Sequence, residues 1–177
     1  GNTLVKEAVL SRGCHLEESS LTGEGFTKVS LSGGHLEEGT VRLSGLFTQV
    51  DVSSSALIRG GDSIIDQLNV NSRCDLVVQS GRIDELNVGK SAGNSTILMN
   101  SSVRCTLANI HSKVNFTGEC KIGHAVEQVK DITYTTEPSK RTEYDDGSYK
   151  PKSGVESLMP SSSPSTGSTN VSLTQTI

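Results

Sequence analysis

The stretches DQLNV, residues 66–70, and DELNV, residues 84–88, are nearly identical and lie 18 residues apart. A second pair, HLEE at residues 15–18 and again at residues 35–38, recurs after 20 residues. A period of this length is too short for a domain and is typical of solenoid proteins, in which each repeat forms one coil. The fold of this chain must therefore explain the repeat first.

Short alternations of apolar and polar residues recur at the same period, and each predicts a strand with one buried face. The first series contains Val29-Ser30-Leu31, Val50-Asp51-Val52, Leu68-Asn69-Val70 and Leu86-Asn87-Val88, at steps of 21, 18 and 18 residues, with Val9 before it and Leu107 after it. Two further series contain Leu16, Leu36, Leu57, Leu76, Ile97 and then Val114 or Phe116, and Val41, Ile64, Ile83, Val103 and Ile122. Turn-forming Gly, Ser, Asn and Asp lie between the series.

These patterns predict an all-β fold, a single-stranded right-handed parallel β-helix of about six coils of 18–21 residues. A leucine-rich repeat is the first rival, but its L-x-x-L-x-L-x-x-N frame and its helix-forming stretches are missing. A β-sandwich of hairpins is the second, and the Asn-Gly and Asp-Gly turns that it would use are largely absent. With 33% hydrophobic residues and no Trp, the core must be thin and built from Val, Leu and Ile.

The composition of the chain changes near residue 133. All four prolines and all three tyrosines lie after it, whereas residues 1–133 contain no proline. A continuous strand ladder needs every backbone N–H, which suits a proline-free segment. The polar, Ser- and Thr-rich remainder cannot bury enough apolar surface to offset the entropy of ordering it. We therefore predict a β-helix domain at residues 1–133 and a disordered tail at residues 134–177.

Charge and cysteine content restrict the partners. The net charge is −4, and neither a basic stripe nor an aromatic stacking platform is visible in the sequence, so we expect no nucleic acid partner. No apolar run is long enough for a transmembrane segment. The four cysteines, Cys14, Cys74, Cys105 and Cys120, lack a C-x-x-C motif, which disfavours zinc and leaves buried thiols and disulfides both open.

The segments LNVNSRCDLVV, residues 68–78, and LNVGKSAGNSTIL, residues 86–98, resemble the strand-turn units of bacterial β-helix proteins. Bactofilins, which are polymer-forming cytoskeletal proteins, and the head domains of certain bacterial surface proteins are two such groups. The resemblance implies a structural or interaction role in bacteria, through self-assembly or through display on the surface or envelope. It implies no functional residue.

The HLEE pair is the sharpest local feature. If the 20-residue step is one coil, His15 stacks on His35 and Glu17 stacks on Glu37, about 5 Å apart. Two imidazoles and two carboxylates in this arrangement could hold a divalent cation. The plainer interpretation is a solvated ladder of charges, which is common on exposed sheets.

Asp66 and Asp84 occupy equivalent repeat positions and are predicted to stack as well. Paired carboxylates about 5 Å apart suit a retaining glycosidase, so they are the candidate catalytic residues of an alternative, polysaccharide-cleaving or carbohydrate-binding function. The scarcity of exposed aromatic residues for sugar stacking argues against it. We expect Asn69 and Asn87, which share a repeat position, to form a structural amide ladder.

The sequence thus predicts a non-enzymatic structural or interaction β-solenoid without a cofactor. The expected partners are another protein or further copies of the chain through the coil ends, where open strands can pair, and a carbohydrate ligand. An extracytoplasmic or cell-surface location is favoured over the cytoplasm.

Overall fold

A computed structural model describes residues 5–11, 15–17, 26–32 and 40–144 of the chain. These residues form thirteen strands of one sheet and a single 3-10 turn at Lys90–Ala92. The strands are β1 Ala8–Leu10, β2 His15–Glu17, β3 Val29–Leu31, β4 Val41–Ser44, β5 Leu46–Val52, β6 Ala56–Val70, β7 Asp75–Val88, β8 Ser95–Met99, β9 Val103–Ile110, β10 Val114–Thr117, β11 His124–Glu127, β12 Thr133–Tyr134 and β13 Lys140–Glu143.

The strands pair in parallel and form two ladders along the axis of the molecule. One ladder runs β1-β3-β5-β6-β7-β9-β11-β13, and the other runs β2-β4-β6-β7-β8-β10-β12. Strands β6 and β7 are 15 and 14 residues long and belong to both ladders. This arrangement is a β-solenoid of about six turns, so the predicted fold class is confirmed.

The core consists of columns of apolar side chains, one residue from each coil. Val50, Leu68 and Leu86 are neighbours in the first ladder and none of them is exposed to solvent. Beside them runs a second column, Val52, Val70, Val88 and Ile110. Because each coil contributes only a few apolar positions, a chain with 33% hydrophobic residues is sufficient for this core.

The register at the ends of the first series differs from the prediction. Ala8, not Val9, lies beside Val29, and Val9 is exposed. At the other end Ala108, not Leu107, lies beside Leu86. Alanine fills a core column where a coil is narrow, and its weak hydrophobicity hides it in a search for large apolar residues.

The other two series contain the same kind of shift. Ala56, not Leu57, pairs with Leu76, and Ile65, not Ile64, pairs with Ile83. In each case the two candidates are adjacent apolar residues, and their alternation alone does not say which one points inward.

Gly118 shows how tightly the coils approach each other. Its φ is +94°, and a Cβ at this position would lie 2.2 Å from the carbonyl oxygen of Met99 in the preceding coil. Only glycine combines this backbone conformation with so close a contact.

The solenoid continues past the predicted boundary at residue 133. Strand β12 pairs with β10, and β13 pairs with β11, so residues 134–144 complete a last coil. The change in composition therefore precedes the end of the sheet, because the last coil is built largely from polar residues. The rest of the predicted tail, residues 145–177, lies outside the described residues. No helix in the described part of the chain is long and apolar enough to cross a membrane.

Candidate functional site

A ladder of buried amides runs along the solenoid. The Nδ2 of Asn87 donates to Oδ1 of Asn69 at 2.9 Å, which confirms the predicted pair. The ladder is longer than the sequence suggested, because Asn109 donates to Asn87 at 3.0 Å and Asn69 donates to Asp51 at 2.9 Å. We call Asp51, Asn69, Asn87 and Asn109 the polar ladder. Its three amide residues are at most 2% exposed.

The polar ladder has a direction, because every amide donates toward the N-terminal end. At that end Asp51 accepts, and Lys28 forms ion pairs at 3.4 Å with both Asp51 and Glu7. At the other end the next residue in the register is Val126, and Oδ1 of Asn109 is buried without a hydrogen-bond partner among the described residues. The ladder thus begins on a carboxylate and ends on an unsatisfied carbonyl oxygen.

Asp66 and Asp84 lie side by side, as predicted. The pairs Ile65–Ile83 and Gln67–Glu85 flank them in the β6–β7 register. Burial and the neighbouring charge of Asp84 raise the pKa of Asp66. Asp84 is held by Arg82, with 2.8 Å between Nε and Oδ1. A carboxyl group of raised pKa therefore stands beside a carboxylate that is paired with a guanidinium.

The HLEE residues lie only partly within the described residues. His15 pairs with Arg42 in the ladder and Glu17 pairs with Ser44, a step of 27 residues. His35 and Glu37 lie outside the described residues, so the predicted stack of two histidines and two glutamates stays a prediction. The described residues contain no group of three or more His, Cys, Asp or Glu that could hold a metal ion.

Three cysteines are buried free thiols, namely Cys74, Cys105 and Cys120. Burial is the main cause that raises the pKa of each one, to about 11 for Cys74. A thiol of raised pKa is a weak nucleophile at neutral pH. These three cysteines therefore act as small apolar core residues, while Cys14 lies outside the described residues.

The last coil closes the C-terminal end of the core with charged and aromatic side chains. Glu127 continues the column of Val88 and Ile110, yet it is a carboxylate with only 4% of its surface exposed. Arg141 binds it with two N–H groups, at 2.9 Å from Nε and 3.1 Å from Nη2. Tyr134 donates its hydroxyl to the same carboxylate. We call Glu127, Tyr134 and Arg141 the terminal cap.

The terminal cap is also held by ring contacts. Tyr134 stacks on Phe116 with 5.4 Å between the ring centroids and 6° between the planes, and Arg141 lies 5.2 Å above the Tyr134 ring. Burial and the hydrogen bond to Glu127 raise the pKa of Tyr134, and the same carboxylate raises the pKa of Arg141. The tyrosine thus stays a donor and the arginine stays charged over the whole range in which proteins are folded.

The sequence analysis missed the terminal cap because all the residues on its outer side lie after residue 133. A signal was nevertheless present. An acidic residue at 127 follows Val88 and Ile110 at the spacing of the coils, and it breaks the apolar column there. A buried carboxylate needs a cationic partner, which the next coil supplies.

No protein-family model, no curated protein and no solved structure matches this chain. The fold is therefore established by the strand registers alone, and the resemblance to bactofilins or to surface head domains stays a prediction.

Proposed function

We propose that this chain is a non-enzymatic structural or interaction β-solenoid that associates with further copies of itself through its N-terminal coil end. The observation that carries the proposal is the difference between the two ends of the first ladder. Self-association through a strand edge needs unpaired backbone groups and side chains that tolerate contact.

The C-terminal end is poorly suited to association. Its edge strand, β13, has the sequence KRTE, and Arg141 forms further ion pairs with Glu137 and Glu143. Charged residues on an edge strand oppose the addition of another strand, because their charges would have to be desolvated. The terminal cap covers the core beneath this edge.

The N-terminal end has the opposite character. Its edge strand, β1, has the sequence AVL, and among the described residues no strand pairs with its outer edge. Val9 is 45% exposed and is the one large hydrophobic residue in the described part of the chain that is exposed. Two copies that join these edges would continue the ladder and cover Val9, giving a dimer instead of an open filament.

Light scattering on a sizing column, with the full chain at two concentrations, tests this proposal. We expect the mass to rise toward a dimer with concentration, and Val9→Lys to remain a monomer because it places a charge on the edge. Thr106→Lys is the matched control, since it adds the same charge to an exposed position on the side of the solenoid. A wild-type monomer at both concentrations, or equal disruption by the control, would refute the proposal.

A second candidate function, polysaccharide cleavage, is favoured by the arrangement of Asp66 and Asp84. A retaining glycosidase needs one carboxyl group that is protonated and a second that is ionised, and the raised pKa of Asp66 beside the paired Asp84 matches that requirement. Release of reducing ends from a panel of polysaccharides tests it. Activity that is lost in both Asp66→Asn and Asp84→Asn supports cleavage, and no activity on any substrate supports the non-enzymatic function.

A further inference from the structure

Five exposed cations form a line along the side of the solenoid, one in each of five successive coils. They are Arg42, Arg59, Arg82, Arg104 and Lys121, and we call them the basic ridge. They are separated by about 20 residues in the sequence, so no basic run is visible there. The sequence analysis therefore found no basic stripe, whereas the parallel register creates one.

The strand registers place these residues. Arg42 pairs with Arg59, and Arg82 pairs with Arg104. Arg59 donates from Nε to the side chain of Gln79 at 2.7 Å, across the turn that leads to Arg82. At the far end, the N–H of Gly123 donates to the carbonyl of Cys105, which brings Lys121 beside Arg104.

The cations of the basic ridge are poorly neutralised by the protein itself. Arg82 forms an ion pair with Asp84, but the other four have no ion pair among the described residues. Asp62 and Glu119 are exposed close by in the chain, and Asp62 accepts a hydrogen bond from Ser44 at 3.4 Å. Like charges directly opposite each other on neighbouring strands destabilise a sheet. A chain of net charge −4 that stacks five of its 16 Lys and Arg residues in this way has a surface suited to an external anion.

We infer that the basic ridge binds a linear anionic polysaccharide, with the polymer lying along the solenoid axis. Successive coils are about 4.8 Å apart, so the cations recur at a regular short interval that suits a polymer with a carboxylate or sulfate on its repeating sugars. The guanidinium group forms paired hydrogen bonds with such planar or multidentate oxyanions. This inference does not depend on the self-association proposed above.

Two observations favour a glycan over a nucleic acid. Proteins that bind single strands stack the bases on exposed aromatic rings, and none of the Phe or Tyr residues in the described part of the chain is in the exposed class. The overall negative charge also opposes the approach of a duplex, which carries a dense array of phosphates.

Fluorescence anisotropy of a labelled oligogalacturonide, titrated with the full chain at low and physiological ionic strength, tests the inference. We expect saturable binding that weakens as salt is added, because exposed charges are screened. An unlabelled neutral glucan should not compete, whereas dextran sulfate should. Failure of any polyanionic glycan to bind at low ionic strength would overturn the inference.

Two double variants and a matched control locate the site. Arg42→Gln with Arg59→Gln, and Arg104→Gln with Lys121→Gln, should each weaken binding roughly tenfold, since each removes two exposed charge contacts. Lys90→Gln with Lys113→Gln removes the same charge from exposed positions outside the ridge and should leave the affinity unchanged. Thermal unfolding checks that every variant is folded, and either ridge variant alone is sufficient for the test.

Two results would overturn the assignment. An equal loss in the control variant would show that only the total charge matters. Tighter binding of single-stranded DNA than of the oligogalacturonide, sensitive to the same ridge variants, would show that the surface is a nucleic acid site.

Discussion

The polar ladder allows a prediction in which two similar substitutions have different costs. Asn87 lies inside the ladder, where it donates to Asn69 and accepts from Asn109. Its replacement by Val leaves Oδ1 of Asn69 without a donor and Nδ2 of Asn109 without an acceptor. Asn109 lies at the end, and its replacement by Val leaves Oδ1 of Asn87 without its donor but also removes the carbonyl oxygen that already has no partner.

The expected difference follows from this count. Asn87→Val adds two unsatisfied buried groups, whereas Asn109→Val exchanges one for another. Each such group costs about 1–3 kcal/mol, so we expect Asn87→Val to lower the free energy of unfolding by roughly 2–4 kcal/mol more than Asn109→Val, after partial relaxation. Both variants introduce the same side chain, so the change in hydrophobicity is matched.

Urea unfolding followed by far-UV circular dichroism measures the difference. With a slope of about 2 kcal/mol per molar urea, the midpoint of Asn87→Val should lie about 1–2 M below that of Asn109→Val. Because solenoids can unfold in parts, hydrogen exchange of the amides of β6, β7 and β9 should show the same order. Equal midpoints, or a lower midpoint for Asn109→Val, would mean that the amides are not coupled as the distances indicate.

Three further predictions concern the terminal cap, the core and the acidic pair. Arg141→Met should raise amide exchange of β11 and β13 about 30- to 150-fold, because the buried Glu127 loses a partner worth about 2–3 kcal/mol once the partial exposure of the arginine is discounted; adding Glu127→Leu should restore protection, and a double variant that exchanges as fast as the single one contradicts this. Leu86→Asp should abolish the cooperative unfolding transition, since an unpaired carboxylate in the core costs several kcal/mol, and a folded protein by circular dichroism would disprove the register. Asp66→Asn should raise the urea midpoint at neutral pH by an amount equivalent to about 1 kcal/mol or less: the raised pKa of Asp66 means that the folded state binds the proton more tightly, so its contribution to stability falls as pH rises from the ordinary Asp value through the raised one. The difference should vanish below about pH 4, and a gap that widens toward acid is the contrary result.

The candidate site residues show where sequence reasoning reached its limit. Asp66 with Asp84, and Asn69 with Asn87, were paired correctly because their coils have equal length, 18 residues. Asn109 belongs to the same column but follows Asn87 by 22 residues, after a coil that contains the 3-10 turn Lys90–Ala92. An insertion in a turn shifts the spacing without disturbing the stack, so a search at constant period misses it.

The sequence alone determined that the chain is a stack of short parallel strands, because alternating apolar residues at a period near 20 can bury their side chains only by stacking coil on coil. It also determined the composition of the core, since a chain without Trp and with few Phe can fill it only with aliphatic residues. The tertiary structure decided which residues from different coils become neighbours. The basic ridge and the terminal cap exist only in that register, because the distances that set charge repulsion, ion pairing and burial depend on the length of every turn, which local sequence patterns do not specify.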